Sequence, residues 1–327
     1  MKKLVKAEIL WSRKCPLKCS FCAMPNDTEG APISLMVKGL SNLKDLGCEF
    51  IAIYGASPLY DFRGLAEYVT VAEKLDILTT IIVDGIGGKK DKEKIQQLYD
   101  GGLRSLTVSE DFVPYDKSSS LKSKAGLALL DWFVKLPDIR DVEIITTVTN
   151  QNYKEVLKSV PTLLKKYGSK AWFSFDFLHL DRGHPGTKCK GKDTKLLLNR
   201  KETLSFLTSL LVLKQTGYNI HQSKTFLKEC LKNLSMITDF TWKCAPDEVF
   251  PSWLTIDADG TVLPCDDYHS DRSWKIWDFD VSDYDDFTEF YAKEVEEKCK
   301  GCAPWSTHHM AHEIKRKDKG FKDYVHK

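Results

Sequence analysis

Between residue 4 and about residue 216, short β-branched or aromatic runs alternate with longer amphipathic stretches. Leu4–Leu10 reads as a strand that runs into a cysteine-bearing loop. Pro32–Leu46 reads as a helix, with Pro32 near its start and Gly47 just past its end. Five further pairs follow. They are strand Glu49–Tyr54 with helix Asp61–Leu75, strand Ile77–Val83 with helix Lys92–Tyr99, and strand Ser105–Ser109 with helix Leu121–Lys135. Strand Val142–Thr149 with helix Tyr153–Tyr167, and strand Trp172–Leu178 with helix Lys195–Gln215, complete the series. Six β/α units in succession imply an α/β fold with a parallel sheet and right-handed crossovers. Six units fall short of the eight in a closed barrel.

The rhythm stops near residue 217. His221–Leu234 reads as one more helix. Ser252–Ile256 and Thr261–Leu263 flank Asp257-Ala258-Asp259-Gly260, a hairpin signal, and Asp286–Lys298 is helix-like and acidic. The expected division is residues 1–216 as the α/β unit, 217–240 as a linking helix, and 241–327 as a small C-terminal α+β domain with a tail.

Composition changes this picture only at the cysteines. The chain has 327 residues, 42% of them hydrophobic, and a formal net charge of +2. Nothing in that balance demands nucleic acid or an anionic membrane as partner. The N-terminus has no signal-peptide core and no run reaches transmembrane length, so the expectation is a cytoplasmic protein with no membrane partner. There the ten cysteines stay reduced and read as metal or catalytic ligands.

Three of them form Cys15-Pro16-Leu17-Lys18-Cys19-Ser20-Phe21-Cys22, directly after the first strand. Three thiolates can hold three irons of a cubane cluster and leave the fourth open to a small molecule. A zinc site is the alternative, but zinc wants four ligands. With an aromatic residue, Phe21, before the last cysteine, the stretch resembles the signature of the radical S-adenosylmethionine (SAM) superfamily. The resemblance implies a partial (β/α)6 TIM-like barrel and a [4Fe-4S] cluster on Cys15, Cys19 and Cys22. It also implies SAM bound at the open iron and cleaved to a 5′-deoxyadenosyl radical that takes a hydrogen from the substrate. The same resemblance suggests SAM-binding roles. Tyr54-Gly55-Ala56-Ser57-Pro58 stands where the family carries a Gly-Gly-Glu-Pro-type run for the SAM amino group. Gly55 and Pro58 match, and Ser57 replaces the glutamate. Ser109 and Asp111 resemble the ribose-contacting region, and Asn150 falls in a third loop. Gly85-Ile86-Gly87-Gly88 offers backbone donors but no phosphate fingerprint. After the sixth strand, Asp176, His179 and Asp181 are candidates to orient a polar substrate or accept a proton; a solvated loop is the competing reading.

A second set, Cys244, Cys265, Cys299 and Cys302, can ligate every iron of another [4Fe-4S] cluster, suited to electron transfer. Structural zinc suits four cysteines too. The arrangement resembles the SPASM/twitch subfamily, in the shorter twitch form with one auxiliary cluster. Cys48, Cys189 and Cys230 lack partners at metal spacing and read as core or incidental thiols. His308, His309 and His312 read as part of a solvated polar tail.

The function implied is a radical SAM oxidoreductase whose auxiliary cluster relays electrons, with a flavodoxin- or ferredoxin-like donor as partner. The first strand begins within about five residues of the start, so no leader-binding domain is expected before it, which tilts the substrate towards a small polar metabolite. A peptide- or protein-modifying maturase is the alternative. A non-catalytic Fe–S or zinc protein that binds a partner is the alternative of another class.

Overall fold

Strand β1 (Lys6–Ser12) opens a series of parallel strands: β2 (Phe50–Gly55), β3 (Leu78–Val83), β4 (Ser105–Ser109), β5 (Asp141–Val148) and β6 (Ala171–Phe177). The crossovers are α1 (Ile33–Asp45), α2 (Leu65–Lys74), α3 (Lys89–Asp100), α4 (Lys117–Phe133) and α5 (Tyr153–Tyr167), and α6 (Arg200–Gln215) follows β6. The computed structural model describes residues 4–19, 22, 30–113, 117–178, 194–243, 252–265 and 272–301. Within them the architecture is the expected α/β partial (β/α)6 barrel. Neighbouring strands pair in sequence order, all parallel from β1 to β6.

Strand alternation divides two environments. Ile9, Ile51, Ile53, Ile81, Val83, Leu106, Val108, Val142 and Ile144 are buried against the helices in one continuous core. The other face is read from the register. Lys6 lies opposite Phe50, Glu8 opposite Ala52, Ala52 opposite Thr80, Thr107 opposite Glu143 and Thr147 opposite Asp176. In β5 the two faces are written residue by residue: Val142, Ile144, Thr146 and Val148 are buried, while Asp141, Glu143, Ile145 and Thr147 are half-buried. A strand covered by helices on one side only has this period of two.

Beyond α6 the chain makes a rudiment of a seventh strand. The His221 amide donates to Phe173 O and the Phe173 amide to Asn219 O, at 2.7 and 2.9 Å. Gln222 Nε2 adds a bond to Phe175 O. The free edge of β6 is thereby covered. Two short helices follow, α7 (Lys224–Lys232) and α8 (Leu234–Thr238), in place of the one expected over His221–Leu234. The Ser223 side chain caps Phe226 N, so α7 starts at Lys224, three residues after the expected His221. Likewise α6 begins at Arg200 and not at Lys195, because Asn199 and Glu202 form a reciprocal capping box. Residues Thr194–Leu196 are a separate 3-10 turn.

The C-terminal hairpin does not build a sheet of its own. Strand β7 (Trp253–Ile256) pairs parallel with β1, β8 (Thr261–Leu263) antiparallel with β7, and β9 (Trp274–Lys275) antiparallel with β8. The described strands therefore form one nine-stranded sheet. Helix α9 (Val281–Lys298) starts at the Asp280–Asp283 capping box, five residues before the acidic stretch seen in sequence. It packs Phe287 and Tyr291 against Trp274 and Phe279, with Phe287 and Tyr291 ring centroids 4.7 Å apart. Helix α1 closes on the same unit. Asn42 Nδ2 donates to Ile276 O at 2.8 Å, and Gly39 admits the Ile276 side chain where a Cβ would lie 2.9 Å from it.

Candidate functional site

The C-terminal ends of β1 to β6 meet on one side of the sheet, and the first cysteine set is carried there. At the end of β1 the pairing steps from Leu10–Tyr54 to Ser12–Gly55 and leaves Trp11 as an extra residue, a bulge that turns the chain out of the sheet. Trp11 Nε1 donates to Asp61 O at 2.8 Å, and Ser12 Oγ donates to Asp61 Oδ2 at 3.3 Å. Burial raises the Asp61 carboxyl, but Arg63, Lys14 and the Ser12 hydroxyl outweigh it and hold it below its ordinary value. Arg13 turns the other way. Its Nε and Nη2 donate to Asp257 Oδ1 at 3.1 and 2.7 Å, an ion pair buried on both sides.

Cys15 and Cys19 are half-buried and Cys22 is exposed. The Leu17 amide donates to Cys15 Sγ at 3.4 Å, and Cys22 N donates to Cys19 O at 3.1 Å, so the segment folds back on itself. Phe21 lies outside the described residues. Opposite, Gly55 has φ +141°, and a Cβ there would stand 2.5 Å from Ser12 O. Glycine is required because β1 and β2 approach at this point. The Ala56 amide donates to Ser12 O at 2.9 Å, and Ser57 is buried beside it.

The SAM-contact and substrate candidates distribute unevenly around this end. Tyr54, Ser109 and Asp176 occupy the face opposite the helix-packed core, each at or next to the last residue of its strand, by the register just given. Asp111 is buried beside Phe112, whose φ is +66°. Its carbonyl accepts from Asn152 Nδ2 at 3.2 Å. Asn152 also bonds Thr147 O and Thr149 N and so clamps the β4 and β5 loops together. Asn150 Nδ2 donates to Lys195 O and its amide to Leu196 O, holding the chain that returns after β6. His179 and Asp181 lie outside the described residues. Three amides of the turn after β3 are taken up locally. Ile86 N donates to Asp84 Oδ1, Gly87 N to Asp91 Oδ2 and Gly88 N to Gly85 O.

Deeper on the same face is a polar network that sequence reasoning did not find. Glu143 accepts from Thr107 Oγ1 at 3.2 Å and contacts His221 Nδ1 at 3.0 Å, and Thr107 also meets Thr80. Burial raises the Glu143 carboxyl, yet the hydrogen bond and charge of His221 prevail and bring it down to about 2. The signal was present as a glutamate in the alternating pattern of β5. Its partner was not legible, because His221 belongs to the seventh-strand rudiment 78 residues away.

The second cysteine set is described at two of its four positions. Cys265 and Cys299 are half-buried and packed on the core. The Gly301 amide donates to Cys299 Sγ at 3.4 Å, repeating the contact at Cys15. Gly301 has φ +88°, and a Cβ there would lie 2.7 Å from Thr241 C. The lead-ins to Cys302 and to Cys244 therefore touch. Cys244 and Cys302 themselves lie outside the described residues. Among those described, no three His, Cys, Asp or Glu side chains gather round one metal-sized point. An Fe–S cluster asks something different, thiolates at separate corners with amides directed at sulfur, and both cysteine turns supply such an amide. By contrast, burial pushes the Cys48 thiol up to about 12 and the Cys230 thiol up as well, which removes both from thiolate chemistry.

No protein-family model matches the chain, and no curated protein matches it in sequence. Solved structures do match in fold. SuiB of Streptococcus suis bound to S-adenosylmethionine has a TM-score of 0.67 at 16% identity, covering 94% of this chain and 77% of that one. In another structure of SuiB, at TM-score 0.65 and 17% identity, 87% of this chain is covered and it spans 66% of SuiB. Native anSMEcpe with bound AdoMet and Cp18Cys peptide has a TM-score of 0.61 at 16% identity, covering 99% and 98%. These proteins are radical SAM enzymes, and the chain has their fold.

Proposed function

We propose that this chain, which carries the radical SAM fold with a three-cysteine loop at the carboxyl end of its first strand, is a radical SAM enzyme. The observation that carries the reading is the position of Cys15, Cys19 and Cys22. They follow the β1 bulge at the carboxyl end of the sheet, next to the point where Gly55 of β2 comes close to Ser12. In parallel α/β sheets, ligands gather at this end.

Cys15, Cys19 and Cys22 would hold a [4Fe-4S] cluster, which when bound and reduced supplies the electron that cleaves SAM to a hydrogen-abstracting 5′-deoxyadenosyl radical. The chain's own residues then have the following roles. The Gly55-Ala56-Ser57 backbone and the Ser57 hydroxyl receive the SAM amino group in place of the family's glutamate. Ser109 and Asp111 take the ribose. Asp176, on the inner face at the end of β6, orients a polar substrate, and it shares that task with His179 and Asp181. Cys244, Cys265, Cys299 and Cys302 would hold an auxiliary [4Fe-4S] cluster that exchanges electrons with the substrate. The electron donor is a flavodoxin- or ferredoxin-like protein, and a reducing compartment such as the cytoplasm suits seven thiolate ligands. Among the described residues no helix is long and apolar enough to cross a membrane.

For the substrate, the first reading is a small polar metabolite, since Glu143, Thr147 and Asp176 are half-buried polar groups on the inner face of β5 and β6. A peptide is the second reading, and one observation favours it: anSMEcpe, similar in fold over nearly its full length, was solved with a bound peptide.

The test is anaerobic. The full chain is reconstituted with iron and sulfide, reduced and given SAM, and 5′-deoxyadenosine is followed by chromatography. Product that vanishes in a Cys15/Cys19/Cys22→Ala variant supports the reading. No product from protein with a full iron complement overturns it in favour of a binding or electron-transfer role.

A further inference from the structure

The turn between β7 and β8 grips the first cysteine loop at both of its ends. On the entering side, Arg13 is two residues before Cys15, and its Nε and Nη2 donate to Asp257 Oδ1. On the leaving side, the Ala31 amide donates to Ala258 O at 2.7 Å, and a Cβ added at Gly30 would stand 3.8 Å from the same carbonyl. Two adjacent residues of this turn thus hold Arg13 and Ala31, one on either side of the first cysteine set.

The turn is itself stiff. The same Asp257 Oδ1 accepts from Ala258 N at 2.7 Å. Asp257 N donates to Thr261 O and Gly260 N donates to Asp257 O, both at 2.8 Å. Asp259 Oδ1 accepts from Thr261 N at 2.9 Å. Parallel pairing of β7 with β1, from Lys6–Trp253 to Ile9–Ile256, fixes the turn against the strand that delivers the cysteines. Arg13 and Asp257 are both almost wholly buried, so their pairing sits where water does not replace a lost partner.

We propose that Asp257 is a positioning residue for the SAM-cleaving cluster: through Arg13 and the adjoining Ala258 carbonyl, the C-terminal hairpin turn sets the shape of the Cys15–Cys22 loop. This rests on the reading of that loop as a cluster site. Its consequence is that the hairpin, which also leads to Cys265 of the second set, is needed for the first set. Damage at residue 257 is felt at Cys15 before it is felt at Cys265.

The test uses the full chain with Asp257→Ala, Asp257→Asn and Arg13→Lys. Hydrogen exchange of the metal-free protein is read at residues 14–19 and, as internal reference, at β5. The reduced, reconstituted protein is read by electron paramagnetic resonance with and without SAM, since only a cluster with an open iron changes its signal when SAM is added. The expected result for Asp257→Ala is exchange at least about tenfold faster at residues 14–19 with β5 unchanged. The SAM-responsive signal should fall while the unresponsive one remains. Asp257→Asn, whose Oδ1 still accepts from both partners, should retain most of the signal. Arg13→Lys, which keeps the charge but loses the two-nitrogen grip, should behave like the alanine variant and carries the test if that variant does not fold. Wild-type exchange and a wild-type SAM-responsive signal in Asp257→Ala overturn the proposal. Wild-type iron content unaffected by Cys15→Ala overturns the cluster reading itself, and that result involves no change at residue 257.

Discussion

Gly301 lies directly against Thr241. A side chain at Gly301 would place its Cβ 2.7 Å from Thr241 C, and the residue holds φ +88°. This contact joins the turn after Cys299 to the segment that leads into Cys244, residues 60 apart in a set that the sequence assigns to one metal site only by resemblance. Gly301→Ala is therefore expected to cost about 2–4 kcal/mol, from backbone strain plus a clash with main chain that cannot yield. Urea denaturation checks the stability. Iron analysis of the reconstituted variant should show the loss of one cluster and not both.

Gly55 is the corresponding contact at the first site. Its Cβ would meet Ser12 O at 2.5 Å in a conformation that L-residues rarely adopt. Gly55→Ala should push β2 from β1 at the bulge and displace the Ala56 amide from Ser12 O. The expected outcome is SAM binding weakened by at least about tenfold, or about 1.4 kcal/mol. Equilibrium dialysis with labelled SAM measures it. Unchanged affinity would remove this loop from the SAM site.

Glu143 makes the protein acid-sensitive in a defined window. Its folded-state carboxyl is held at about 2, below its unfolded value of 4.5, so it contributes stability above pH 4.5 that is lost as the pH falls towards 2. Glu143→Gln should lower stability by about 1–3 kcal/mol at pH 7 and flatten the pH dependence between 4.5 and 2. Thermal melts across that range decide the matter, and a variant as steeply acid-labile as the wild type would assign the effect to another carboxylate.

The cysteines should sort by iron content. The reconstituted chain is expected to hold about eight irons, and Cys15→Ala or Cys265→Ala about four. Cys48→Ala and Cys230→Ala should leave iron unchanged, since burial keeps both as thiols, and should instead cost about 1–2 kcal/mol in packing. Zinc in place of iron after the second set is isolated would assign Cys244, Cys265, Cys299 and Cys302 to a structural metal.

Much of the barrel was written in local pattern. β4 and α5 have the bounds read from sequence, Ser105–Ser109 and Tyr153–Tyr167, because turn residues and hydrophobic period agree there. The three-cysteine loop was legible because its ligands lie within eight residues of one another at fixed spacing. Helix starts shifted where a cap outweighed the apolar period, as at Asn199 and Asp280. What the sequence by itself determined was therefore the chemistry on offer and the order of its elements. Tertiary structure decided which residues stand together. It placed the hairpin on β1 and so brought Asp257 to Arg13, 244 residues away. It set His221 on Glu143 through a strand rudiment too short to show a period, and joined Asn150 Nδ2 to the Lys195 carbonyl. Pairing of this kind depends on which sheet edge is left open and which charge is left buried. Those conditions exist only once the chain has closed on itself.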